Sequence, residues 1–134
     1  MFKRLKVIDL GCNVGAFSLW IYPQADKIWA IDSEKEHLDN FNETIKDNKL
    51  DKIQTFQERL LDLSEFMRGH NVGRVDVLKI DIEGDEMELF KNDFPSHLVS
   101  SIVGEYHKES PELLLKRLGY EYIELPDKHF IARK

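Results

Sequence analysis

Short apolar runs alternate with stretches of helical period along most of this chain. The runs predict strands at Leu5–Leu10, Lys27–Ile31, Lys52–Phe56, Val75–Ile80, Ser100–Glu105, Tyr120–Leu125 and His129–Arg133. Between the second and third, Leu38, Phe41 and Ile45 recur at helical spacing behind a Ser33–Glu36 capping box, with Asn48 as a left-handed stop. Leu60, Leu61, Phe66 and Met67 suggest a short helix ended by Gly69. Ser110-Pro111 opens another helix and Gly119 closes it, with Leu114, Leu115 and Leu118 toward the core. Pro126-Asp127 reads as the turn of a terminal hairpin. Strand–helix units in this order imply an α/β, three-layer Rossmann-like domain. Its sheet is expected to be mostly parallel and seven-stranded, with a C-terminal antiparallel hairpin.

Composition narrows the picture without changing it. The chain has 134 residues, 42% hydrophobic and 33% charged, which suits a single domain over residues 1–134. A net charge of −6 argues against a nucleic acid as the main partner, since phosphate backbones select basic faces. The single Cys12 has no partner for an internal disulfide and no ligand neighbours, which points to a reducing compartment. The apolar segment Leu5–Ile21 is too short to span a membrane and carries Lys6 and Asp9. A cytoplasmic location is expected, with no membrane partner.

The densest chemistry follows the first strand, at Asp9-Leu10-Gly11-Cys12-Asn13-Val14-Gly15. A strand, a tight turn and a helix start are where such domains hold a nucleoside-bearing cofactor. A nicotinamide fingerprint requires G-x-G-x-x-G, and Asn13 stands at its second glycine. A pyrophosphate therefore lacks its usual close approach to the backbone, and S-adenosyl-L-methionine, which has no phosphate, fits better. Gly11 and Gly15 are expected where a side chain would block the ligand. Amides near Gly15 would face its carboxylate, and Asp9 its amino group, directly or through water. The alternative is a turn that needs glycine only for its backbone angles. Asp32 ends the second strand 21 residues after Gly11, close to the spacing at which an acid meets ribose hydroxyls. It would serve NAD equally, so the first loop makes the choice. Gln57 and Glu58, after the third strand, are placed to meet an adenine or simply to be solvated.

Lys79, Asp81 and Glu83 interrupt what should be an unbroken apolar central strand, which places charge at the ligand crevice. An Asp85–Glu88 helix cap accounts for the later acids only. The stretch Leu78-Lys79-Ile80-Asp81-Ile82-Glu83-Gly84-Asp85-Glu86 resembles the L-K-I-D-[VI]-E-G-x-E signature of the FkbM-type methyltransferase family. Asp9–Gly15 is similar to that family's D-x-G-A-N-x-G, with Cys12 for alanine. Ala30-Ile31-Asp32 resembles its acidic strand end, and Glu105-Tyr106-His107 its E-x-H. The resemblance implies a class I, S-adenosylmethionine-dependent methyltransferase core acting on hydroxyl oxygens of sugars or other small molecules. It implies a cofactor role for Asp9, Gly11, Asn13, Gly15 and Asp32, and a cofactor or active-site role for Asp81 and Glu83. Family members carry a helical segment before the first strand, whereas four residues precede Leu5 here. A lid is then expected from a partner subunit in a homo-oligomer, from substrate, or not at all.

Methyl transfer to a hydroxyl gains from a base, and Asp81, Glu105 and His107 are the catalytic candidates. Glu105 and His107 share a face if the fifth strand reaches both. No set of three ligands at metal spacing is evident, so no metal is expected. His37, His70, His97 and His129 carry no functional expectation. The alternatives are a non-catalytic cofactor- or protein-binding domain of the same fold, and a nicotinamide-dependent oxidoreductase.

Overall fold

The computed structural model describes residues 4–134. The elements run β1 (Leu5–Leu10), α1 (Ala16–Ile21), β2 (Ala25–Asp32), α2 (Lys35–Asp47), β3 (Ile53–Gln57) and α3 (Leu63–Gly69). They continue with β4 (Val75–Ile80), α4 (Glu86–Lys91), β5 (Val99–Glu105), α5 (Glu112–Arg117), β6 (Glu121–Leu125) and β7 (His129–Arg133). A single seven-stranded sheet has the order β3-β2-β1-β4-β5-β7-β6. The first five strands are parallel, and β7 runs antiparallel to both β5 and β6.

Side-chain alternation along the central strands builds a core on each face. Val7, Ile28 and Ala30 pack with Leu38 and Phe41 of α2 and Ile21 of α1. Ile8, Leu10, Leu78 and Ile80 pack on the opposite face with Phe66 of α3, Phe90 of α4 and Leu115 of α5. Covering both faces explains the near-continuous apolar runs of β1, β2 and β4. Each fully buried Phe or Leu here contributes roughly 1.5–3 kcal/mol. No helix among the described residues is long and apolar enough to cross a membrane.

The hairpin forms as expected. Asp127 and Lys128 both adopt positive φ, at 60° each, which suits the right-handed twist of the flanking strands. Gly119 ends α5 at φ 97°. Three predicted end signals are corrected. Ser33 makes no cap. The cap position is Glu34, which makes no side-chain capping bond, and Asp32 accepts the Glu34 N–H at 2.8 Å in the turn before the helix. Asn48 has φ −106°, and the left-handed residue is Lys49. Asp85 precedes α4 without a capping bond, because its carboxylate is engaged by Arg59.

The chain order reverses between β1 and β4, the position at which open α/β sheets form a crevice at their carboxyl ends. Backbone bonds tie the loops there into one floor. Gly11 and Cys12 both donate to Ile31 O, Asp81 N donates to Leu10 O, and Glu58 N donates to Asp32 O.

Candidate functional site

A cleft of about 360 Å³ opens on that floor, within the size range of small-ligand sites. Of the predicted cofactor residues, Gly11, Asn13, Asp32, Glu58, Asp81 and Glu83 line it. Asp32 is its fixed point. The carboxylate is 9% exposed and accepts the Asn13 N–H at 2.8 Å through Oδ2 and the Glu34 N–H at 2.8 Å through Oδ1. Asn13 reaches this position through a left-handed backbone, φ 53°. Oδ2 has that single partner and retains acceptor capacity, as a carboxylate has about four lone-pair sites.

Asp9, Gly15 and Gln57 do not line the cleft. Asp9 is fully buried. Its Oδ2 accepts the Ser18 hydroxyl of α1 at 2.6 Å, and its Oδ1 lies 3.1 Å from Lys79 Nζ, an ion pair without hydrogen-bond alignment. Lys79 also donates to Gly11 O at 2.8 Å. Asp9 and Lys79 are cross-strand partners on β1 and β4. The expectation that Asp9 offers its carboxylate to a ligand is therefore corrected. With Lys79 and Ser18 it anchors the loop from below, which also explains the lysine in a central strand. The high cost of burying either charge alone keeps the pair together.

The protein itself requires both glycines. A Cβ on Gly11 would lie 1.9 Å from Asp81 O, and Gly11 has φ +78°. A Cβ on Gly15 would lie 2.2 Å from the Phe41 ring, at φ +95°. Gly15 thus lets α2 pack against the start of α1. Gln57 ends β3 on the exposed side, and the next residue, Glu58, turns to the cleft. Cys12 packs in the core, where burial pushes its thiol pKa up.

Two cleft residues, His37 and Arg59, carried no functional expectation in the sequence. His37 Nδ1 stands 3.3 Å from Asp32 Oδ1. Arg59 grips Asp85 with two bonds of 2.8 Å, closing the far wall between the loops after β3 and β4. The guanidinium holds the Asp85 carboxyl below its ordinary range, against a smaller opposing effect of burial. Isolated surface histidines and arginines carry no sequence signal that would single these out.

The catalytic candidates converge. Asp81 is 44% exposed at the end of β4, and His107 Nε2 lies 3.7 Å from its Oδ1. Asp81, Glu105 and His107 each present a ligand-type atom within 4.8 Å of the others, so the expectation that no such trio exists is corrected. The fifth strand stops at Glu105, short of His107. A buried glutamate brings the ring in. Glu86 Oε1 accepts both the His107 backbone N–H at 2.7 Å and Nδ1 at 2.8 Å. Burial disfavours the charged ring, but Glu86 outweighs it, with help from Glu83 and Glu105, and raises the His107 pKa above its ordinary value. Glu86 was visible only as the last acid of the second motif. Its place inside the protein, at 3% exposure, is a tertiary fact.

Comparison with known proteins bears on this geometry. No curated protein sequence matches the chain. Among solved structures, M. capricolum TrmK in complex with S-adenosyl-homocysteine superposes with TM-score 0.72 at 16% identity, covering 98% of this chain and 62% of that one. An rRNA methylase from Streptococcus thermophilus gives 0.70 at 9% identity, with 97% and 85% covered. Precorrin-6y C5,15-methyltransferase from Geobacter metallireducens gives 0.71 at 13%, with 100% and 83% covered. The chain thus spans about three-fifths of the TrmK chain, and at these identities the likeness establishes the fold. The family model for the methyltransferase FkbM domain matches residues 3–122. With that match over most of its length, the chain belongs to the FkbM methyltransferase family.

Proposed function

We propose that this chain methylates a hydroxyl oxygen of a small molecule or sugar, with S-adenosyl-L-methionine as methyl donor. Asp32 carries the reading: a nearly buried carboxylate, oriented by two backbone amides, with acceptor capacity left on Oδ2. That is what a ribose diol requires. The adjoining Gly11–Asn13 turn is glycine-poor where a pyrophosphate would need open backbone, which fits a donor without phosphate. S-adenosylmethionine supplies an electrophilic methyl on a sulfonium, a good leaving group.

The chain's own residues then have three tasks. Asp32 and the backbone around Asn13 hold the nucleoside end. Glu58, on the β3 side of the cleft, is placed to contact the base, while Asp81 and Glu83 face the opposite wall. Asp81, Glu105 and His107 receive the acceptor hydroxyl and favour loss of its proton, with Glu86 fixing the imidazole. Alignment of the nucleophile supplies most of the acceleration. The net charge of −6 favours a small acceptor over a nucleic acid.

Incubating the chain with S-adenosylmethionine and a panel of hydroxylated small molecules should release S-adenosylhomocysteine, read by mass spectrometry. His107→Ala should cut turnover by about 10²–10⁴-fold while S-adenosylhomocysteine affinity stays within error. Full turnover in that variant would remove His107 from the chemistry.

A further inference from the structure

The cluster at the ends of β4 and β5 carries more negative charge than a simple base needs. Asp81, Glu83, Glu86 and Glu105 surround one imidazole. An oxygen developing negative charge among them would be repelled. A bound divalent cation reverses the local sign and makes a bound hydroxyl more acidic.

The geometry suits such an ion. The ligand-type atoms of Asp81, Glu105 and His107 lie within 4.8 Å of one another, and the 3.7 Å between His107 Nε2 and Asp81 Oδ1 is too long for a hydrogen bond. Ligand bonds of about 2.0–2.2 Å place neighbouring donors about 3–3.6 Å apart, so a small closure around an ion suffices.

Glu86 is the independent observation. Its side chain is 4% exposed, and its Oε2 is buried without a hydrogen-bond partner. Its Oε1 accepts from Nδ1, which commits that nitrogen as donor and leaves the Nε2 lone pair facing Asp81. A carboxylate behind the far nitrogen is the usual support of a metal-ligating imidazole. A buried acid with an unused oxygen, next to two further carboxylates, is ion-paired with that ring.

We propose that Asp81, Glu105 and His107 bind a divalent cation of the class that accepts mixed carboxylate and imidazole ligands. Three protein ligands leave open positions for oxygen. The cation would take an acceptor bearing two neighbouring oxygens, such as a vicinal diol or an α-hydroxy acid, and the hydroxyl proton would pass to water. His107 is then a ligand and Glu86 its positioning residue. The acceptor's identity rests on the methyl-transfer reading, whereas the cation site rests on the side chains alone.

The test titrates the full chain with Mn²⁺, following free Mn²⁺ by electron paramagnetic resonance, with S-adenosylhomocysteine calorimetry in parallel. A single saturable site is expected. Glu105→Gln and His107→Ala should each weaken it at least about 10-fold, and Glu86→Gln by about 10–100-fold, with S-adenosylhomocysteine affinity retained. Glu105 and His107 are partly exposed, so these two variants should fold even if Glu86→Gln does not. Absence of saturable Mn²⁺ binding in a chain that still binds S-adenosylhomocysteine overturns the cation site and leaves the proposed function standing. Mn²⁺ binding unchanged in both Glu105→Gln and His107→Ala overturns it equally.

Discussion

Gly11→Ala should cost about 2–5 kcal/mol of stability, the largest effect of any single change in the first loop. A left-handed backbone with a Cβ costs roughly 1–2 kcal/mol, and forced overpacking adds about 1–3 kcal/mol. Here the obstacle is the Asp81 carbonyl, 1.9 Å from the added atom. That carbonyl belongs to the backbone and cannot rotate away, and Asp81 N is itself bonded to Leu10 O. Either the loop after β1 lifts from the sheet or the end of β4 moves. Both would also disturb the cleft. Urea unfolding should show a lower midpoint at unchanged slope. Gly69→Ala is the control. No atom lies within 4 Å of its added Cβ, and its φ is not left-handed, so that change should raise stability by about 0.5–1 kcal/mol. Equal midpoints for the two variants would show that the contact with Asp81 does not constrain the loop.

Asp32→Ala should weaken S-adenosylhomocysteine binding by about 10–150-fold. Each hydrogen bond to a charged group is worth roughly 1.5–3 kcal/mol, and at least one ribose contact is removed. A second effect acts in the same direction, because the Asn13 and Glu34 amides lose their acceptor. Asp32→Asn separates the two. It keeps an oxygen for one amide and preserves the shape of the turn, but removes the charge. It should fold like the parent chain and bind with intermediate affinity by calorimetry. Parent-like affinity in Asp32→Ala would show that the ribose is held elsewhere.

The strands and their order of appearance were readable in the sequence because both faces of this sheet are covered. β1, β4 and β7 have the predicted bounds, and the other strands differ by one or two residues at one or both ends. Helix ends read less well. Ser33 has the right type for a cap, but α2 begins one residue later than its pattern implies, with Glu34 at the cap position and no side-chain capping bond. Within the site, residue type and spacing identified Asp32, whose role depends on local chain geometry. They did not show the packing around Asp9 and Gly15. A strand-end acid reads as available to a ligand, yet Asp9 points to the α1 face, where Ser18 and Lys79 enclose it. Gly15 reads as ligand clearance, and the structure adds a need the sequence did not show, the Phe41 ring of the next helix. Glu86 shows the same limit. Its position in the second motif was plain, but only packing brings it to His107, two loops later in the chain.

The central claim is that the cleft beside Asp32 holds S-adenosylmethionine rather than a dinucleotide. Thermal unfolding with S-adenosylhomocysteine and with NAD, each tested over a concentration series, measures this directly. At 100 times its dissociation constant, S-adenosylhomocysteine should add about 2.7 kcal/mol of stability, while NAD leaves the midpoint unchanged. Stabilisation by NAD with none from S-adenosylhomocysteine would contradict the account.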